Sequence, residues 1–248
     1  MLNVLRRAGL FHRALRYYGR VDPEEIHWMR GILRPGDLTI DVGAYKGGYT
    51  YWMRHFVGDE GRVLAVEPQP GQAAYLQKCV AAYNWSNVQV EEVALSSESG
   101  SGTLCVPGRG PSPGASLVGA SLPPGSKGYQ VRKEKLDRVL DALGADEPLR
   151  FIKCDVEGHE LDVFRGAERT LETHRPLILF ECEARHLRGQ SMTDVFGYLE
   201  DLGYRGSFFW NGDRLDLDAF DVDRHQVEGR RPYGNNFVFA VDGAEEGG

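Results

Sequence analysis

The sequence predicts a doubly wound α/β fold. Its sheet is mostly parallel and seven-stranded, Rossmann-like, with an antiparallel final strand and N-terminal helices. Three observations carry this. Apolar, β-branched runs alternate with helical stretches, the pattern of a parallel sheet covered on both faces. The first run ends in an aspartate followed at once by a glycine turn, Ile40-Asp41-Val42-Gly43. The second ends in Glu67, 26 residues after Asp41 and one helix further on.

The elements follow in order. Met1 to Arg20 places five arginines among Leu2, Leu5, Leu10, Phe11 and Leu15, an amphipathic basic helix without the apolar centre of a secretion signal. It reads as a helix packed on the domain or on a partner subunit, including a second copy, with peripheral membrane contact through residues 1–20 as the alternative. Asp22-Pro23 then announces a second helix, with Asp22 as cap and Pro23 at the first helical position. Strands are expected at 38–42, 62–67, 88–95, 151–155, 177–181, 204–210 and 236–241, and crossover helices at 49–57, 71–84, 135–143 and 161–174. The last two strands are joined by 211–235 without a helix and pair as an antiparallel hairpin at the sheet edge. Residues 1–33 are thus read as a helical extension and 34–243 as one domain. Within it, 105–130 holds five prolines and six glycines, an irregular connection read either as a lid or as disorder.

A chain of 248 residues, 42% hydrophobic, supports one large domain. Its net charge of −7 argues against a nucleic-acid partner, whose phosphates are gripped by Lys and Arg. Cys79, Cys105, Cys154 and Cys182 show no metal-finger spacing, which fits reduced thiols and a cytoplasmic location. No apolar run is long enough to cross a membrane.

The turn Asp41-Val42-Gly43-Ala44-Tyr45-Lys46-Gly47-Gly48 falls at the carboxyl edge of the sheet, where such folds bind ligands. A dinucleotide fingerprint fits poorly. Gly43 and Gly48 match its first and third glycines, but Tyr45 stands where backbone must approach a pyrophosphate. Asp41 suits a ligand with a cationic amino group, and Glu67 can accept both hydroxyl protons of a ribose. S-adenosylmethionine has both features and no phosphate. Gly43, Ala44, Gly47 and Pro68 complete this expected donor site, with Glu92 and Ala94 beside the adenine.

These segments, with Val93-Ala94-Leu95-Ser96 and Ile152-Lys153-Cys154-Asp155-Val156-Glu157-Gly158-His159-Glu160, resemble the FkbM family of methyltransferases over roughly residues 34–183. The resemblance implies a class I methyltransferase sheet, S-adenosylmethionine as donor, and O-methylation of a sugar, glycolipid or polyketide-type hydroxyl.

In-line methyl transfer requires an acceptor oxygen held at attack distance and relieved of its proton. Two arrangements fit the acidic cluster. Asp155 and Glu181 could ligate Mg²⁺, which lowers the acceptor's pKa. Alternatively Glu157, His159 or the distant His225 removes the proton. Asp155 could also contact the donor. Phe208, Phe209, Trp210, Asn211, Tyr233, Asn235 and Asn236 are expected to receive a saccharide or other small-molecule acceptor. Methylation of another small molecule or a macromolecule, and a silent donor-binding module, stand as alternatives.

Overall fold

The computed structural model describes residues 1–108, 110–118, 122–144, 147–187 and 189–244. The chain opens with α1 (Leu2–Arg16), a π turn (Tyr17–Val21) and α2 (Pro23–Ile32). It continues as β1 (Leu38–Val42), α3 (Gly48–Val57), β2 (Arg62–Val66), α4 (Pro70–Tyr83) and β3 (Val88–Glu91). Four strands of a second sheet follow: β4 (Ala94–Leu95), β5 (Gly100–Pro107), β6 (Ser116–Val118) and β7 (Ser126–Glu134). The main sheet resumes through α5 (Leu136–Leu143), β8 (Leu149–Cys154), α6 (Glu160–Arg165), α7 (Glu168–His174) and β9 (Leu177–Glu181). The chain ends in α8 (Met192–Asp201), β10 (Arg205–Trp210), β11 (Asp213–Asp216), α9 (Val222–His225) and β12 (Asn236–Ala240).

The main sheet has eight strands in the order β11-β10-β12-β9-β8-β1-β2-β3. From β3 to β9 neighbours run parallel, and β12 lies antiparallel between β9 and β10. The doubly wound class is as predicted, and three details differ. The sheet edge is β11, a short strand inside the connection 211–235, which also holds α9 where no helix was expected; β11 pairs Asp213 with Trp210 across a tight turn. The expected strand 88–95 divides: Glu91 pairs with Val66 of the main sheet, whereas Ala94 pairs with Lys133 of the small one.

Third, the stretch 105–130 is largely built into that small sheet instead of forming an irregular loop. β5 and β7 pair antiparallel from Gly100↔Lys133 to Pro107↔Ser126, and β6 adds to β5. Gly108, Gly110, Pro111, Pro113, Gly114, Pro123, Pro124 and Gly125 lie between strands, Pro107 ends β5 and Gly128 lies within β7, while Leu104, Val106 and Val131 close a separate apolar cluster with Ala94. Residues 109 and 119–121 of this stretch lie outside the described residues.

Apolar side chains of β1, β8 and β9 alternate between the two faces of the sheet, as strand geometry requires. Ile40, Ile152, Ile178 and Phe180 face α5 to α8, and Phe151, Leu177 and Leu179 face α2 and α3. The N-terminal helix packs against the domain. Leu10 and Ala14 are fully buried, Arg7 Nε donates to the Ala82 carbonyl at 2.5 Å, and Trp52 Nε1 donates to the Ala14 carbonyl at 2.8 Å. Its outer face leaves Leu2, Val4, Leu5, Phe11 and Leu15 exposed. No helix among the described residues is long and apolar enough to cross a membrane. The four cysteines are buried and unpaired.

Candidate active site

The strand ends carry three adjoining cavities, and Asp155, just beyond β8, borders all of them. Gly43 makes this possible. Its φ is +80°, and a Cβ there would stand 1.9 Å from the carbonyl oxygen of Asp155, so only glycine lets the ends of β1 and β8 approach this closely. The missing side chain therefore serves the Asp155 backbone first, and a ligand only second.

The first cavity, about 490 Å³, is mostly apolar, with Val66, Val93, Leu95, Leu104, Leu117 and Val156 in its wall. Glu67, Pro68 and Ala94 line it as expected. Glu67 accepts the backbone N–H of Tyr45 at 2.6 Å and of Gln69 at 2.8 Å, which fixes its carboxylate while leaving lone pairs for a diol. Burial pushes Glu67 up to about 7, against those hydrogen bonds. Glu92 is exposed and lines none of the cavities, because the chain turns from β3 toward β4 at this point. His159 borders this cavity instead of the acceptor side, with its ring within 3.1 Å of the Ser96 hydroxyl. Burial lowers its pKa.

The second cavity, about 460 Å³, holds Asp41, Gly43, Ala44 and Tyr45. Thr50 Oγ1 donates to Asp41 at 2.5 Å, and burial raises Asp41 to about 6. Gly47 stands outside it: a Cβ at Gly47 would fall 2.7 Å from Leu76 and 3.3 Å from Leu10, so this glycine seats the turn against α1 and α4. An apolar wall for a base, a fixed carboxylate for a diol and a second for an ammonium group match the chemical parts of S-adenosylmethionine.

The third cavity is wide, about 2220 Å³. Glu157, Glu181, Trp210, Asn211, Tyr233, Asn235 and Asn236 line it together with Phe209, whereas Phe208 is buried in the core. Glu157, in left-handed conformation at φ +56°, pairs with His186 at 2.6 Å. His225 lies away from all three cavities, packed among Phe208, Trp210 and Phe220, and its Nδ1 receives the Asp221 backbone N–H at 2.9 Å. Aromatic burial, not access to an acceptor, explains its position. Glu160 is buried and accepts the N–H groups of Gly158 at 3.1 Å and Val156 at 3.3 Å, bracing the turn that carries Asp155.

Lys153 is the residue that sequence reasoning missed. It lies two positions before Asp155 on the same face of β8, is 2% exposed, and places Nζ 4.0 Å from Asp155 and 5.1 Å from the Tyr49 ring centroid. Burial alone would lower its pKa, but Asp155, Glu181 and Asp22 together outweigh that and hold it above the usual lysine value. Burial also pushes Glu181 well above the carboxylate range, with Asp155 adding to it. Glu183 accepts from Arg185 and from the Tyr233 hydroxyl at 2.9 Å. The expected Mg²⁺ between Asp155 and Glu181 does not fit this donor set. The Lys153 ammonium already stands 4.0 Å from Asp155, and no group of three potential ligands converges among the described residues.

The N-terminal segment contributes as well. Arg13 and Tyr17 line the second cavity, and Tyr17, Arg20, Asp22 and Glu25 the third. Tyr49 donates its hydroxyl proton to Asp22 at 2.9 Å, and Asn236 Nδ2 donates to Glu25 at 2.8 Å. The segment 111–118 roofs the first two cavities: Gln69 Nε2 donates to the Ser112 carbonyl at 3.0 Å, Ser116 Oγ to the Glu157 carbonyl at 2.8 Å, and Pro113 borders all three spaces.

Known proteins share this architecture. The FkbM methyltransferase from Methylobacillus flagellatus KT superposes with a TM-score of 0.53 at 17% identity, covering 94% of this chain and 54% of that one. A Streptococcus mutans protein assigned as a methyltransferase and solved in complex with SAH gives 0.51 at 9% identity, covering 87% and 94%. Among curated sequences, ribosomal RNA large subunit methyltransferase E of Bdellovibrio bacteriovorus is 23% identical over 141 residues, 55% of this chain and 62% of that protein. The same enzyme of Hydrogenovibrio crunogenus is 32% identical over 69 residues, 28% of this chain and 31% of that protein. The chain thus spans less than two thirds of these curated relatives. The methyltransferase FkbM domain matches residues 41–205, from the aspartate of the glycine turn to the start of β10. With the doubly wound sheet, that match settles the family: the chain belongs to the FkbM family of S-adenosylmethionine-dependent methyltransferases.

Proposed function

We propose that this protein transfers the methyl group of S-adenosylmethionine to a hydroxyl of a sugar, oligosaccharide or glycosylated natural product. The observation that carries the reading is the position of Asp155, at the junction of the two donor cavities and the wide third one. The donor supplies an electrophilic methyl group on a sulfonium. Glu67 receives the ribose hydroxyls, Asp41 the amino group, and the apolar first cavity the adenine. Gly43, Ala44 and Pro68 shape the backbone around them.

Asp155 takes the acceptor proton. Burial raises it to about 6, while Lys153 pulls the other way, so it is ionised at neutral pH with a basicity above that of an ordinary aspartate. Lys153 is a positioning residue, holding the carboxylate and balancing its charge. Glu157, bonded to His186, lies on the acceptor side and can meet a second hydroxyl, whereas His159 belongs with the adenine. The acceptor wall combines aromatic faces at Phe209, Trp210 and Tyr233 with amides at Asn211 and Asn235, a mixture suited to the apolar faces and hydroxyls of a sugar.

The ribosomal RNA methyltransferases among the relatives supply a second reading. The buried carboxyls of the third cavity favour a neutral polyol over a phosphodiester chain at its floor. Turnover to S-adenosylhomocysteine against saccharides, phenolic metabolites and RNA tests both, and Asp155→Asn provides the control. Saccharide-dependent turnover that the variant loses supports the proposal; turnover on RNA alone, or full activity of the variant, refutes it. Donor binding without any turnover would indicate a silent module.

A further inference from the structure

Three arginines, Arg20, Arg230 and Arg231, line the third cavity and are exposed around its opening. Another arginine of the cavity wall, Arg185, is taken up by Glu183 and Glu228. By contrast, no ion pair or side-chain hydrogen bond ties Arg20, Arg230 or Arg231 to another described residue.

Two segments far apart in the chain bring these guanidinium groups together. Arg20 belongs to the π turn after α1, and Arg230 and Arg231 precede β12. Three arginines without an ion pair among the described residues thus gather around one opening of a chain whose net charge is −7. A guanidinium presents parallel N–H donors that match a carboxylate or phosphate in bidentate fashion.

We propose that the mouth of the acceptor cavity binds an anionic group, a phosphate ester or a carboxylate, carried by the acceptor itself. The substrate is then an acidic or phosphorylated saccharide, held by its charge at Arg20, Arg230 and Arg231 while a hydroxyl reaches Asp155. This inference rests on the saccharide reading above.

The test is calorimetric titration of the full chain, with S-adenosylhomocysteine bound, against glucose 1-phosphate, glucuronate, glucose and a short RNA oligonucleotide. At least one anionic sugar is expected to bind about tenfold or more tightly than glucose. That advantage should shrink in about 0.5 M NaCl, where charges are screened within a few ångströms. Whichever anionic sugar binds better names the source of the charge. The triple variant R20Q/R230Q/R231Q should lose the advantage while keeping its thermal midpoint and its affinity for S-adenosylhomocysteine, and single R230Q and R231Q variants should each lose part of it. The proposal is overturned if neither anionic sugar outbinds glucose, if the advantage survives in the variants, or if the RNA binds more tightly than both sugars. A chain that binds S-adenosylhomocysteine yet shows no preference fails here alone; one that binds neither fails at the donor site too.

Discussion

The carbonyl oxygen of Asp155 occupies the space that a Cβ on Gly43 would need, 1.9 Å from its ideal position. The donor turn and the strand end bearing the proposed base are therefore one packed unit. Gly43→Ala combines that clash with an unfavourable positive φ and is expected to cost about 2–4 kcal/mol. Thermal melting with calorimetric titration of S-adenosylhomocysteine checks this. A variant that melts normally and binds with unchanged affinity would show that the two strand ends separate at little cost.

Asp155→Asn keeps the shape of the side chain and removes its basicity. Turnover should fall by about 10²- to 10⁴-fold, the usual contribution of a general base, with donor affinity nearly unchanged. In the parent enzyme kcat/KM should rise with pH through about 6, as Asp155 loses its proton. A flat profile from pH 5 to 8 would assign the proton transfer elsewhere.

Lys153→Met leaves buried carboxyls without their cation and is expected to destabilise the fold by about 3–5 kcal/mol. Because Lys153 lowers the pKa of Asp155, the acid limb of the pH profile should move upward in this variant. The same ammonium predicts that EDTA leaves turnover of the parent enzyme unchanged. EDTA-sensitive activity, restored by Mg²⁺, would contradict that role.

Stability without ligand should decline as pH rises. Burial lifts Glu67 and Glu160 from 4.5 to about 7 and Asp41 from 3.8 to about 6. A carboxyl raised in the folded state favours folding below its unfolded pKa, and that contribution is lost as pH passes through the folded value. The melting temperature should therefore be higher near pH 5 than near pH 8. Glu160→Gln should flatten the slope, and an identical slope in this variant would remove Glu160 from the account.

Much of the proposed donor site is readable in the sequence because its signals are local. Asp41, Gly43 and Glu67 sit at strand ends whose apolar runs announce themselves; Glu67 lines the first cavity, Asp41 the second, and Gly43 both. Glu92 was misplaced because 88–95 reads as one continuous strand, while the backbone changes sheets between Glu91 and Ala94. The small sheet was hidden by composition: prolines and glycines at its turns outnumber the few residues, such as Leu104 and Val131, that form its core. Lys153 reads as an interruption in an apolar strand, and its spacing of two from Asp155 was the available clue. The contribution of Tyr17, Arg20 and Asp22 had no local signal, since only tertiary packing carries the first helix across to the cleft.

Pro113 borders both donor cavities and the acceptor cavity, and its neighbours Ser112 and Ser116 are tied to Gln69 and Glu157. The roof segment thus borders the space of both proposed reactants, and donor and acceptor are expected to bind in order, donor first. Product inhibition should show S-adenosylhomocysteine competing with the donor alone, as the last molecule to leave.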